Sequence, residues 1–77
     1  MNSVTVYSTP SCPWCHKEKE WLKQNNIPFR DVDVSEDHEA AVEMIRKSGQ
    51  QGVPVADVNG QIIIGFDKEA LKKALKL

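Results

Sequence analysis

Cys12-Pro13-Trp14-Cys15 contains both cysteines of the 77-residue chain, separated by two residues. If Cys12 opens a helix, Cys15 lies one turn further along the same face, close enough to bridge. Such a bridge closes a tiny loop, for which loop entropy gives roughly 2 kcal/mol, against about 3 for a 15-residue loop. A pair meant only to staple a small fold would do better far apart. A close pair suits a disulfide that is made and broken. A helix N-terminus also offers free N–H groups and partial positive charge, which favour a thiolate at the first cysteine. The chemistry implied is thiol–disulfide exchange, with Cys12 as nucleophile and Cys15 resolving the mixed disulfide.

Other uses of the pair fit less well. Zinc needs about four ligands. Cys12, Cys15 and His16 are too few, and His38 starts a different helix, so no metal is expected. Cys12-x-x-Cys15-His16 matches the c-type haem attachment pattern, which would make the chain an electron carrier. Its β-rich segments and absent export signal argue against that, and Met44, the candidate second axial ligand, sits on an apolar helical stripe. A binding-only module would not need both cysteines.

The elements that must hold the pair can be read in order. Val4-Thr5-Val6-Tyr7 alternates as a strand, and Ser8-Thr9-Pro10-Ser11 delivers the chain to Cys12. Pro13 suits the first helical position, and the helix runs to about Gln24. Cys15, Lys19 and Leu22 share one side with Trp21, while Lys17, Glu18 and Glu20 face water. Asn25-Asn26 and Pro28 end it. Residues 29–34 read as a second strand. Ser35 is a plausible N-cap, with Glu36, Asp37 and Glu39 in the first turn. Ala41, Met44, Ile45 and Ser48 then form a stripe that stops at Gly49. Residues 53–58 and 61–64 flank Asn59-Gly60, the strongest short hairpin signal. Asp67 caps a last helix whose apolar face is Ala70, Leu71, Ala74 and Leu75. Trp21, Leu22, Ile45, Leu71 and Leu75 are core by spacing.

The order βαβαββα implies an α/β fold. The strand–helix–strand unit gives parallel neighbours, the hairpin adds two antiparallel strands, and a four-stranded mixed sheet flanked by three helices results. Residues 1–77 make one domain. A hydrophobic fraction of 40%, a charged fraction of 27% and a net charge of -1 are those of an ordinary globular chain. The sequence pI of about 6.1 leaves no footprint for nucleic acid or a membrane surface. No apolar run approaches a spanning length, and residues 1–7 lack a signal-peptide pattern. A monomer working in the cytoplasm, where disulfides are transient, is expected.

The chain resembles the glutaredoxin family within the thioredoxin-like fold. The resemblance rests on residues 7–15 (YSTPSCPWC), on Gly52-Val53-Pro54-Val55 and on Ile64-Gly65-Phe66-Asp67, in order and spacing over essentially the whole chain. It implies a cis Val53–Pro54 peptide facing Cys12, with the Val53 backbone aimed at an incoming cysteine-containing strand. It implies glutathione as co-substrate, disulfide-containing proteins as partners, and a site drawn from Pro13, Trp14, Val53, Pro54, Gly65, Phe66 and Asp67. Asp67 suits the glutathione ammonium, and helix N–H groups suit its carboxylate. Tyr7 and Thr9 would form the rim. Two positions depart from the usual pattern. Thr9 stands where many glutaredoxins have a lysine, and Ile64 replaces the first glycine of a Gly-Gly pair. A related branch, reduced by thioredoxin reductase, carries Ser-Gly-Phe-Arg here. Phe66 leans to that branch and Asp67 to glutathione. Pro13 argues against an iron–sulfur cluster shared between two subunits.

Overall fold

The structure is a computed structural model, described over residues 3–77. Its elements follow the expected order: β1 (Val4–Ser8), α1 (Pro13–Gln24), β2 (Arg30–Asp33), α2 (His38–Ser48), β3 (Val55–Val58), β4 (Gln61–Ile64) and α3 (Lys68–Leu75). The strands form one mixed sheet, β2-β1-β3-β4. β1 runs parallel to β2 and antiparallel to β3, and β4 returns antiparallel beside β3.

Strand alternation sends successive side chains to opposite faces. Val4, Val6, Ala56, Val58 and Ile63 meet Leu22 of α1 and Leu71 and Leu75 of α3 in the larger core. Tyr7 and Val55 meet Met44 of α2 on the other face. Leu22 is fully buried in the larger core. Leu22→Ala is expected to destabilise the protein by about 2–5 kcal/mol, the range for a cavity at a site with limited room to collapse. Chemical denaturation should show a lower midpoint with an unchanged slope.

Local chemistry sets the element ends. Asn26 takes a left-handed φ of 58° just past α1. The amides of Asn26 and Ile27 then bond back to the carbonyls of Lys23 and Leu22, at 3.0 and 2.9 Å. This is a Schellman ending, with Asn26 in the place glycine usually takes. In the β3–β4 turn, Asn59 and Gly60 both have positive φ, 54° and 88°, as a two-residue hairpin loop requires.

Four readings of the sequence change. The cap of α2 is Asp37, not Ser35: the Ala40 amide donates to Asp37 Oδ1 at 3.0 Å. Ser35 is held instead by Asp33, whose Oδ1 accepts from both its amide and its hydroxyl, at 2.9 and 2.6 Å. The hydroxyl bond is the main reason the Asp33 carboxyl lies below its ordinary range. Ile45 is 37% exposed rather than core, because Met44 alone of its stripe turns fully inward. β3 begins at Val55, since Pro54 has no N–H to give a ladder. Glu18 does not face water. It is fully buried, together with Cys15 and Leu22 of the same helix.

Candidate active site

Cys12 is the N-cap of α1, with extended backbone (φ −92°, ψ 110°) and Pro13 directly after it. The Cys12 amide donates to the Thr9 carbonyl at 3.3 Å, closing the loop that leaves β1. At the open end of the helix, the Cys15 amide donates to Cys12 Sγ at 3.1 Å. The sulfur therefore does what a serine or aspartate oxygen does at other caps. Cys12 and Cys15 are joined by a disulfide, with Cα atoms 5.2 Å apart. Cys12 is half-buried and Cys15 has no exposed surface.

The neighbouring wall comes from the far half of the chain. The Val53–Pro54 peptide is cis, and Cys12 Sγ lies 4.0 Å from the Val53 carbonyl oxygen. The Gly65 amide donates to the Pro54 carbonyl at 2.9 Å, so the start of the α3 segment is tied to the same loop. Trp14, Val53, Pro54, Gly65 and Phe66 line a depression of about 280 Å³ beside the disulfide. A wider one of about 630 Å³ continues over Trp14, Lys17, Phe66, Asp67, Lys68 and Glu69. Trp14 is 55% exposed, and Lys17 Nζ stands 4.5 Å from its ring centre. Asp67 caps α3, with its Oδ1 accepting from the Ala70 amide at 3.1 Å.

The two residues expected at the rim are placed differently from each other. Thr9 stays beside Cys12 through its carbonyl. Tyr7 points to the α2 face, where its hydroxyl donates to Glu43 at 2.8 Å and accepts from Lys47 at 3.0 Å. Burial raises the Tyr7 phenol above its ordinary range. Lys47 also bridges Glu43 and Asp57, at 2.9 and 2.8 Å. The Asp57 contact leads the interactions that push its ammonium up. This cluster ties α2 to β1 and β3. His16 is exposed, and its Nε2 lies 2.8 Å from the Pro10 carbonyl.

The buried residue misread in the sequence is Glu18. Both its carboxylate oxygens are buried and, among the described residues, without a hydrogen-bond partner. Burial alone pushes its pKa up to about 7. The signal was present in the spacing 15, 18, 22, which puts Glu18 on the Cys15 and Leu22 stripe.

The disulfide at a helix N-terminus, against a cis X–Pro wall, is the geometry on which comparison with known proteins bears. The glutaredoxin family model matches residues 4–63. The chain belongs to the glutaredoxin family. It is 48% identical to the uncharacterized glutaredoxin-like 8.6 kDa protein in rubredoxin operon of Clostridium pasteurianum, over 95% of this chain and 97% of that one. It is 33% identical to the glutaredoxin-like protein NrdH of Lactococcus lactis, over 91% of this chain and 96% of that one. Among solved structures, a mutant of the thioredoxin-like protein BC3987 superposes with a TM-score of 0.90 at 32% identity, covering 99% of this chain and 97% of that one. This glutaredoxin is thus a thiol–disulfide oxidoreductase with a thioredoxin-like fold. Among its described residues, no helix is long and apolar enough to cross a membrane.

Proposed function

We propose that this glutaredoxin reduces protein disulfides and glutathione mixed disulfides through Cys12 and Cys15, with glutathione as its reductant. The observation that carries the reading is the position of Cys12 Sγ, which accepts the Cys15 amide at the N-terminus of α1. An anion at that sulfur is stabilised by the amide and by the helix dipole. Cys12 is the more accessible of the pair and attacks the substrate disulfide. One substrate thiolate leaves, and the other sulfur stays joined to Cys12. Cys15 then attacks Cys12 Sγ and releases the second thiolate. Two glutathione thiols reverse the enzyme disulfide in succession, and glutathione disulfide leaves.

The wall opposite Cys12 supports a peptide-like partner. The Val53 backbone lies beside the sulfur, where a cysteine-containing strand can align with it. Asp67 and the first turn of α3 offer a carboxylate and helix amides for the charged end of glutathione. Trp14, Pro54, Gly65 and Phe66 supply the contact surface between them, with Pro13 opening α1 next to Trp14. A monomer in a reducing compartment such as the cytoplasm suits a disulfide that must be remade in each cycle.

The second reading takes electrons from thioredoxin reductase. It is favoured by Phe66, by Thr9 in place of a lysine, and by the similarity to a protein named NrdH. NADPH consumption with a small mixed-disulfide substrate separates the two. Turnover that requires glutathione and glutathione reductase is the expected result. Turnover with thioredoxin reductase alone would overturn the glutathione assignment while leaving the dithiol chemistry in place.

A further inference from the structure

A buried carboxylate with no partner is costly to keep, and Glu18 occupies the turn of α1 directly below Cys15. At a spacing of three residues, the Cβ atoms on a helix are about 5–6 Å apart. Both residues have no exposed surface, and both lie on the stripe that faces the sheet. The carboxylate oxygens accept nothing from the described residues. The three-residue helix spacing would let a reduced Cys15 thiol serve as a donor to them, directly or through one water.

The surroundings leave few competitors. On α1 itself, Lys19 is the next residue, and its ammonium is held by Asp31 of β2 at 3.1 Å. On β1, the polar group on this face is the Ser8 hydroxyl, which donates to the same Asp31 at 2.8 Å. The facing positions of β3, β4 and α3 are Ala56, Val58, Ile63, Leu71 and Leu75, all apolar. Asp57 points to the other side, onto Lys47, and Lys68 leans over the Phe66 ring.

We propose that Glu18 is the proton acceptor and donor for Cys15 in the resolving step. The proposal rests on the reading of Cys15 as the resolving thiol. As the Cys15 sulfur attacks Cys12 Sγ, its S–H proton passes to the Glu18 carboxylate. The Cys12–Cys15 bond forms, the bond from Cys12 to the substrate sulfur breaks, and the substrate leaves as a thiolate with the electron pair. Both enzyme sulfurs are oxidised and the substrate disulfide is reduced. Glu18 is left as a neutral acid, and one negative charge is present on each side of the step. In the reverse direction the acid returns its proton to the Cys15 sulfur as glutathione opens the disulfide. A carboxyl that titrates near neutrality can do both. An ordinary surface glutamate would hold the proton too weakly.

Reaction of the reduced protein with an aromatic disulfide that releases a coloured thiolate separates the steps. Attack by Cys12 releases one equivalent at a rate that depends on reagent concentration. Resolution by Cys15 releases a second equivalent at a rate that does not. Glu18→Gln is expected to leave the first phase unchanged and slow the second at least about 10-fold at neutral pH. The bend near neutrality in the pH profile of the second phase should disappear in Glu18→Gln and persist in Glu18→Asp. A second phase in Glu18→Gln with the native rate and profile would overturn the proposal. If Glu18→Gln fails to fold, the native profile still decides, because a second phase that shows no bend near neutrality rules Glu18 out. Release of only one equivalent by the native protein would instead contradict the resolving role of Cys15.

Discussion

Cys12→Ser is expected to lose disulfide exchange with every substrate, by about 10³-fold or more, as removal of an enzyme's nucleophile does. A serine hydroxyl cannot take the place of the sulfur, because no S–S bond can form through it. The substitution also keeps the scaffold. Cys12 is the N-cap of α1, where its side chain accepts the Cys15 amide, and serine is among the preferred residues for that task. A melting temperature close to that of the reduced native protein should therefore accompany the loss. Cys15→Ser behaves differently. It leaves Cys12 and its helix end in place and removes only resolution, so reactions that pass through a glutathione mixed disulfide alone should survive. Retained activity in Cys12→Ser would show that the exchange does not begin at that sulfur.

The second large effect is on stability, and it has a defined pH window. Glu18 is fully buried, and its folded-state pKa is raised from 4.5 to about 7. Below 4.5 the group is neutral in both folded and unfolded chains and adds no pH dependence. As pH rises through the window between the two values, the unfolded chain releases the proton more readily than the folded one. Stability falls with rising pH across that window and levels off above neutrality. A shift of this size corresponds to about 3 kcal/mol. Glu18→Met, apolar and of similar length, should remove this dependence. Its margin of stability over the native protein should be larger at pH 8 than at pH 4 by about that amount. Urea unfolding at the two pH values measures the difference. An equal margin at the two pH values would mean that the carboxylate finds solvent or a partner. A protein that keeps such a residue beneath its redox disulfide gives up stability there, which is the pattern expected where a local rule yields to chemistry.

What could be read in the sequence was what local chemistry decides. A proline after Cys12, the Asn59-Gly60 pair and the cap at Asp67 each have a conformational reason that acts over a few residues. All three appear where they were expected, and with them the hairpin, the starts of α1 and α3 and the order of elements. The start of α2 was harder, because Ser35 and Asp37 are both good caps. The choice was made by Asp33, which captured Ser35 in a turn of its own. Ile45 was misread because a stripe four residues wide needs a broad contact, and α2 meets the sheet mainly through Met44. Glu18 was misread because charge was given more weight than position. Its register with Cys15 and Leu22 fixed its direction, and the helix carried it under the sheet contact with its charge. Tyr7 lies beside the site in sequence, but strand alternation turns its ring to the opposite face.

The most direct test of the account is to trap the first covalent intermediate. Reduced Cys15→Ser protein, mixed with a disulfide-linked peptide, should gain the mass of one peptide half, and proteolytic mapping should place it on Cys12. No adduct at Cys12, together with a stable adduct at Cys15 in the Cys12→Ser protein, would reverse the roles of the two cysteines and contradict the mechanism.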